Sequence, residues 1–190
     1  MKKHLDLGCG KKPRNPYFCE IVYGIDLDPN VLLLGENFKC VNLSIDPIPY
    51  PDSFFDSVSG FDFLEHLPRQ AIDFKEKVLR QPFIAVMNEI HRVLKPGGMF
   101  YAVTPAYPSN EAFQDPTHIN YITDKTHKYF CGNECLYGFK GNFEALEVAR
   151  ISISYALTAE RNLKLSIKNF HKKVFKGGGG HLVWQLKAIK

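Results

Sequence analysis

Leu5-Asp6-Leu7-Gly8-Cys9-Gly10 is the stretch on which the fold turns. A short apolar run that ends in two closely spaced glycines has the form of a buried strand stopping at a ligand, because glycine has no Cβ to hold a bound molecule away from the backbone. The strand expected over residues 2–7 lies so near the first residue that it should sit at the centre of the sheet, with little structure ahead of it.

Working outward, apolar runs alternate with turn-rich and helical stretches, as in an α/β sheet covered on both faces. A second strand is expected over 21–26, and the connection to it contains Pro13 and Pro16, which leaves room for a helical turn or two at most. A third strand is expected over 38–42. A fourth, over 54–61, follows the turn material Asp46-Pro47-Ile48-Pro49-Tyr50-Pro51-Asp52. Between residues 69 and 94, Ile72, Val78, Leu79, Ile84, Val86, Ile90 and Leu94 recur near helical spacing, and Pro82 divides them into two expected helices. Lys95-Pro96-Gly97-Gly98 stops the second helix, and a strand over 99–104 follows. Residues 143–154 suggest a bent sixth strand, 157–176 an amphipathic helix and 181–189 a last strand. The glycine run 177–180 reads as a flexible hinge or as a phosphate-binding nest.

Composition bounds the class. With 190 residues, 45% hydrophobic and 23% charged, residues 1–190 can bury one full core and form a single domain. Cys9, Cys19, Cys40, Cys131 and Cys135 follow no disulfide framework, and no long apolar segment is present. Reduced thiols, a cytoplasmic location and no membrane span are therefore expected. The net charge of +4 is uneven: residues 157–176 carry six basic side chains, from Arg161 to Lys176, against Glu160 alone. With Leu163, Ile167, Phe170 and Val174 on one face, that segment reads first as a helix packed on the sheet, and second as a surface for RNA or membrane.

Asp26 closes the second strand in Gly24-Ile25-Asp26-Leu27-Asp28, where a carboxylate can accept from both hydroxyls of a ribose or cap the following turn. Read in order, these two motifs, Val41-Asn42-Leu43, Leu64-Glu65-His66-Leu67 and the segment from Glu89 to Gly98 resemble the class I S-adenosylmethionine-dependent methyltransferases, of the small kind with a shortened first loop. The resemblance runs from residue 5 to about 104 and continues weakly to 130. It implies a Rossmann-like, seven-stranded, mostly parallel sheet with an antiparallel C-terminal strand and a trimmed first crossover helix. It also implies S-adenosyl-L-methionine as cofactor. Gly8, Cys9 and Gly10 would lie against its methionine part, with Asp6 orienting the amino end. Asp26 would hold the ribose, Leu27 and Leu43 would flank the adenine, and Asn42 would hydrogen-bond it where the family commonly has an acid. Phe61 and Asp62, at the end of the fourth strand, would line the cofactor and substrate sides of the pocket. Lys12 stands where the family often has a glycine. A dinucleotide-binding dehydrogenase fits less well, since its glycine pattern needs glycine at position 13, which is Pro13, and its pyrophosphate-binding helix has no room.

Methyl transfer draws on alignment and desolvation, with a base required only where the acceptor must lose a proton. His66 and His118 are the candidate bases, with Asp115 placed to orient His118 in Asp115-Pro116-Thr117-His118; structural roles in packing or loop hydrogen bonding are the alternatives. Tyr107, Tyr121 and Tyr129 would wall the acceptor within a substrate-side region, residues 105–142. Glu89 and Arg92, three residues apart, can share a helix face, where an ion pair and a ligand contact are the two readings. His118, His127, Cys131 and Cys135 lack compact zinc spacing, so no metal is expected. The expected activity is transfer of a methyl group to oxygen or nitrogen of a small-molecule or saccharide-like acceptor. An RNA-binding or RNA-modifying enzyme using residues 161–176, and a catalytically silent S-adenosylmethionine-binding protein, are the alternatives. Nothing in the sequence identifies the acceptor or the oligomeric state.

Overall fold

A strand in a sheet covered on both faces is buried along its length, and in β1 (Lys3–Leu7) the last four residues are buried, Leu5 and Leu7 alternating with the polar His4 and Asp6, which hydrogen bonds must satisfy. The computed structural model describes residues 1–132, 137–151 and 179–190. After β1 come β2 (Ile21–Asp26), β3 (Phe38–Cys40), β4 (Phe55–Phe61), the short strands β5 (Ala71–Asp73) and β6 (Val78–Arg80), helix α1 (Pro82–Val93), β7 (Leu94–Pro105), β8 (Phe143–Ile151) and β9 (His181–Ala188). Seven of these strands form one sheet in the order β3-β2-β1-β4-β7-β9-β8. The first five run parallel, and β9 is antiparallel to both β7 and β8. This is the Rossmann-like methyltransferase sheet that the sequence resemblance implies; its central strand is β4, and β1, expected at the centre, lies next to it, between β2 and β4.

Two expectations need correction. Residues 69–81 are not helical: β5 and β6 pair antiparallel as a separate hairpin. Its turn is organised by Asp73, whose carboxylate accepts from the backbone N–H of Lys75 and Glu76 and pairs with Arg80. Asp73 thus gives this backbone an alternative to the helix, and Ile72, Val78 and Leu79 remain exposed. Pro82 consequently begins α1 rather than dividing two helices, at the first helical position, where its missing N–H breaks no bond. The second correction concerns Lys95-Pro96-Gly97-Gly98, which lies inside β7, between the register pairs Phe55↔Leu94 and Ser57↔Met99, as an irregularity in the strand. The connection 8–20 contains no helix, in keeping with its two prolines. The bend expected in the sixth strand appears as a register shift between Ala145 and Glu147. The basic helix expected over 157–176, and Cys135, lie outside the described residues.

Helix α1 buries Phe83, Val86, Met87, Ile90 and Val93 against one face of the sheet, in a core shared with Leu5, Leu7, Phe100 and Trp184. Its other face carries Arg92. That guanidinium forms a bidentate pair with Glu89 (2.8 and 2.7 Å), reaches Asp52, and donates to the carbonyls of Ile48 and Tyr50, fixing the proline-rich loop ahead of β4. A smaller cluster of Phe61, Tyr101, Val103, Ile151 and Val183 forms on the opposite side. Among the described residues, no helix is long and apolar enough to cross a membrane.

Gly24 in β2 is required by close approach: a Cβ there would lie 2.6 Å from Cys9 Sγ and 2.6 Å from the Phe38 ring. Gly24→Ala is therefore expected to destabilise the protein by about 1–3 kcal/mol. A lowered urea midpoint would register this, and an unchanged midpoint would mean that the β1–β2–β3 edge yields freely.

Candidate active site

The carboxyl ends of β1 and β2 meet where Gly8 and Gly10 take left-handed backbone angles, φ +64° and +54°. Only that geometry turns the chain back over β2, where the N–H groups of Gly8 and Cys9 both donate to the Ile25 carbonyl (2.9 and 3.1 Å). Asp26 completes the turn. One of its oxygens accepts from the Gly10 N–H (2.8 Å) and the other from the Asp28 N–H (2.9 Å). Each oxygen keeps acceptor capacity for a second donor. Beside it opens a cleft of about 260 Å³, whose walls include Gly8, Asp26, Leu27, Asn42, Asp62 and His66. Val41, Leu43 and Ser44 extend the wall beyond β3, and Phe63 lies across Gly8 and Gly60, within 3.1 and 3.2 Å of where their Cβ atoms would stand.

Asp6 lies beneath this cleft rather than in its wall. It is fully buried, accepting from the Arg14 N–H (2.7 Å) and the Ser59 hydroxyl (2.6 Å). Burial lifts its pKa to about 6, against the lowering effect of these two hydrogen bonds. Ser59 and Ser57 in turn flank the ring of His4 (2.9 and 2.7 Å), and Cys19 Sγ lies 3.4 Å from Ser57 Oγ. His4 is driven down to about 4 by burial and is neutral at pH 7. The Cys9 side chain points back at Gly24, and its thiol is pushed up to about 12 by burial. Phe61 faces the opposite side of the sheet, under the Arg14 guanidinium and beside Tyr101. Of the expected cofactor residues, Gly8, Asp26, Leu27, Asn42 and Leu43 line the cleft; Asp6, Cys9 and Phe61 do not, and Gly10 contributes the backbone bond to Asp26.

Past β4, Asp62 takes a left-handed angle (φ 48°) and lies 3.6 Å from His181 Nε2. The short turn Leu64–His66 then brings His66 to the cleft and Glu65 into the interior. The Glu65 carbonyl accepts from the N–H groups of Ile119 and Asn120, and its side chain accepts from Thr104 (3.0 Å), so the loop carrying His118 is stitched to the end of β4. His66 and His118 stand edge to face with ring centres 4.9 Å apart. His118 Nε2 lies 4.0 Å from Glu65 and 3.8 Å from Asp115. Burial pushes the Glu65 carboxyl up to about 8, whereas hydrogen bonds from Thr117 hold Asp115 below the usual range. The tyrosines do not form one wall: Tyr121 stacks on Phe113, which also meets Tyr107, while Tyr129 pairs with Tyr137 in a separate cavity of about 550 Å³ beside Arg69 and Phe83. His127 lies elsewhere, against Trp184. Sequence reasoning missed Glu65 and Phe63. The only signal for Glu65 was a charged residue set between the core leucines Leu64 and Leu67.

A family described as a methyltransferase domain matches residues 5–102, just over half of the chain. A demethylmenaquinone methyltransferase from Geobacillus stearothermophilus is 30% identical over 129 residues, covering 60% of this chain and 49% of the relative. The chain thus spans about half the length of the curated relatives it matches. Among solved structures, a SAM-dependent methyltransferase from Archaeoglobus fulgidus superposes with a TM-score of 0.61 at 16% identity, over 98% of this chain and 86% of that one. The 1,6-didemethyltoxoflavin-N1-methyltransferase of Burkholderia thailandensis superposes with a TM-score of 0.58 at 17% identity, over 99% and 71%. At these identities the two structures share the fold.

The Asp6 shift has a definite sign in stability. As pH rises from its ordinary value of 3.8 towards about 6, the unfolded carboxyl ionises while the folded one stays protonated, so this group's contribution to stability falls across that window. Asp6→Asn is expected to remove that part of the slope, read as the difference between the urea midpoints of the two proteins at pH 4, 5, 6 and 7. Parallel profiles would count against it.

Proposed function

The chain belongs to the methyltransferase domain family, and from that premise we propose that it binds S-adenosyl-L-methionine and transfers its methyl group to an oxygen or nitrogen atom of a small-molecule acceptor. The observation that carries this reading is the cleft at the ends of β1, β2 and β4, where a left-handed glycine turn meets a carboxylate with acceptor capacity to spare. These residues fit the cofactor. Gly8 leaves its backbone open to the amino-acid part, Asp26 suits the two ribose hydroxyls, Val41, Leu27 and Leu43 offer apolar surface to the adenine, and the Asn42 amide can both donate to and accept from its edge. S-adenosyl-L-methionine supplies an activated methyl group on sulfur. The remaining tasks fall to the protein: hold the nucleophile in line, exclude water and, for a hydroxyl acceptor, remove a proton.

The acceptor side is assigned to the corner where Asp62 and His66 border the cleft and Glu65, Asp115 and His118 stand behind them. The curated relatives act, by their name, on demethylmenaquinone, which supports a small-molecule acceptor.

Two substitutions separate the subsites. Asp26→Ala is expected to weaken S-adenosylmethionine binding at least about tenfold by calorimetry, through loss of its hydroxyl acceptors; unchanged affinity in a folded variant would refute the ribose assignment. His118→Ala is expected to keep cofactor affinity while lowering turnover by about a hundredfold or more. The acceptor is to be found by incubating the protein and methyl-labelled cofactor with fractionated extract and identifying the labelled product by mass. Full turnover in His118→Ala would remove that residue from the reaction.

A further inference from the structure

Glu65, His66 and His118 each bring a donor atom within 4.8 Å of the others. They are held there by different parts of the fold: Glu65 and His66 by the turn after β4, and His118 by a loop more than fifty residues later that is hydrogen-bonded to the Glu65 backbone. Two features distinguish this cluster from an ordinary buried polar contact. Glu65 is 2% exposed, yet among the described residues its Oε1 has no hydrogen-bond partner. A buried acceptor without a partner carries a desolvation cost that nothing offsets. Among the described residues no arginine or lysine pairs with Glu65, while the carboxylates of Asp62 and Asp115 add like charge to its surroundings. The corner is short of positive charge.

We propose that Glu65, His66 and His118 form a site for one divalent transition-metal ion of the zinc class, at the acceptor end of the cleft. The donor set is two imidazoles and one carboxylate. This composition suits zinc, cobalt or manganese better than magnesium or calcium, which favour all-oxygen shells. His66 is already oriented for it. Its Nδ1 faces the Thr117 carbonyl (3.3 Å) and hydroxyl (3.1 Å), so the N–H is engaged on that side and Nε2 keeps its lone pair for the ion. Glu65 is steadied in the same way by Thr104 on its other oxygen, leaving Oε1 as the ligand. Neighbouring ligands in a four-coordinate zinc shell stand about 3.4 Å apart, so the 4.0 Å between His118 Nε2 and Glu65 Oε1 closes with a small side-chain rotation. Three protein ligands leave a position open, and His66 borders the cleft, so the ion presents that position to an acceptor. The acceptor class that such an ion selects carries an oxygen donor at or beside the atom to be methylated, such as a hydroxyl next to a carbonyl. This choice of acceptor rests on the methyl-transfer reading; the metal site does not.

The test uses the untagged full chain, stripped with chelator and titrated by calorimetry with zinc, cobalt and magnesium, with S-adenosylmethionine affinity measured on the same sample. One zinc or cobalt per chain is expected, bound at micromolar concentration or tighter, with magnesium much weaker. The visible absorption of the cobalt form should indicate nitrogen and oxygen ligands, without the near-ultraviolet thiolate band. Glu65→Gln, His66→Ala and His118→Ala should each weaken zinc at least tenfold. His66, at the cleft surface, supplies the variant least prone to misfold. The proposal is overturned if the folded protein takes up no zinc or cobalt, if a thiolate band appears, or if His66→Ala binds the metal unchanged. Metal binding without cofactor binding would instead sink the methyl-transfer reading, and cofactor binding without metal would sink this one.

Discussion

A single buried carboxylate, that of Asp6, ties the centre of the sheet to the rim of the cleft. Ser59 has one hydroxyl hydrogen, and it goes to Asp6. The neutral ring of His4 must then donate from Nε2 to Ser59 and accept at Nδ1 from Ser57, which in turn is left to accept from the Cys19 thiol. The result is a chain of hydrogen bonds with one direction, running between β1 and β4 from the foot of the sheet to its upper edge. Its last acceptor also holds the Arg14 N–H, so the connection that bears Gly8 and Gly10 is fixed from below. The shortened connection has no helix to stiffen it, and this polar chain does that work.

The cleft beside Asp26 and the corner that holds Glu65, His66 and His118 are built differently. The cleft is assembled by adjacent strands whose carboxyl ends meet because the sheet is parallel there, and its central bonds, from Gly8 and Cys9 to Ile25 and from Gly10 to Asp26, are local consequences of that pairing. The corner depends on one loop returning over the end of β4, with Ile119 and Asn120 donating to the Glu65 carbonyl and Arg69 gripping Asn120 and Tyr121. The two sets of backbone contacts are separate, and they meet at Asp62 and His66, which border the cleft.

This division also explains what could be read from the sequence. The parallel strands and the Gly8 to Asp26 turn follow from local pattern: an apolar run, two glycines and an acidic strand end. Asp6 was legible as a residue of the motif but not as a buried anchor, because its partner Ser59 lies on another strand. The helix expected before Pro82 failed for a physical reason, since the Asp73 side chain satisfies the backbone of a tight turn, and periodicity does not register that competition. Glu65 escaped notice for the opposite reason. Its surroundings are ordinary in sequence, and its significance comes only from His118, which the fold brings within 4.0 Å.

The position of β9 bears on how the sheet comes to exist at all. It lies between β7 and β8 and is the only described strand that pairs with β8. Until residues 181–188 are available, β8 has no ladder to join and β7 presents a bare edge. Trp184 and Leu186, among the last core residues along the chain, meanwhile leave a gap in the apolar layer beneath α1. Pairing across so long a span delays its reward until late in collapse. On a ribosome, the completed half that carries the glycine turn would emerge well before the half that seals it. The exposed edge of β7 is then the surface most open to wrong pairing during synthesis.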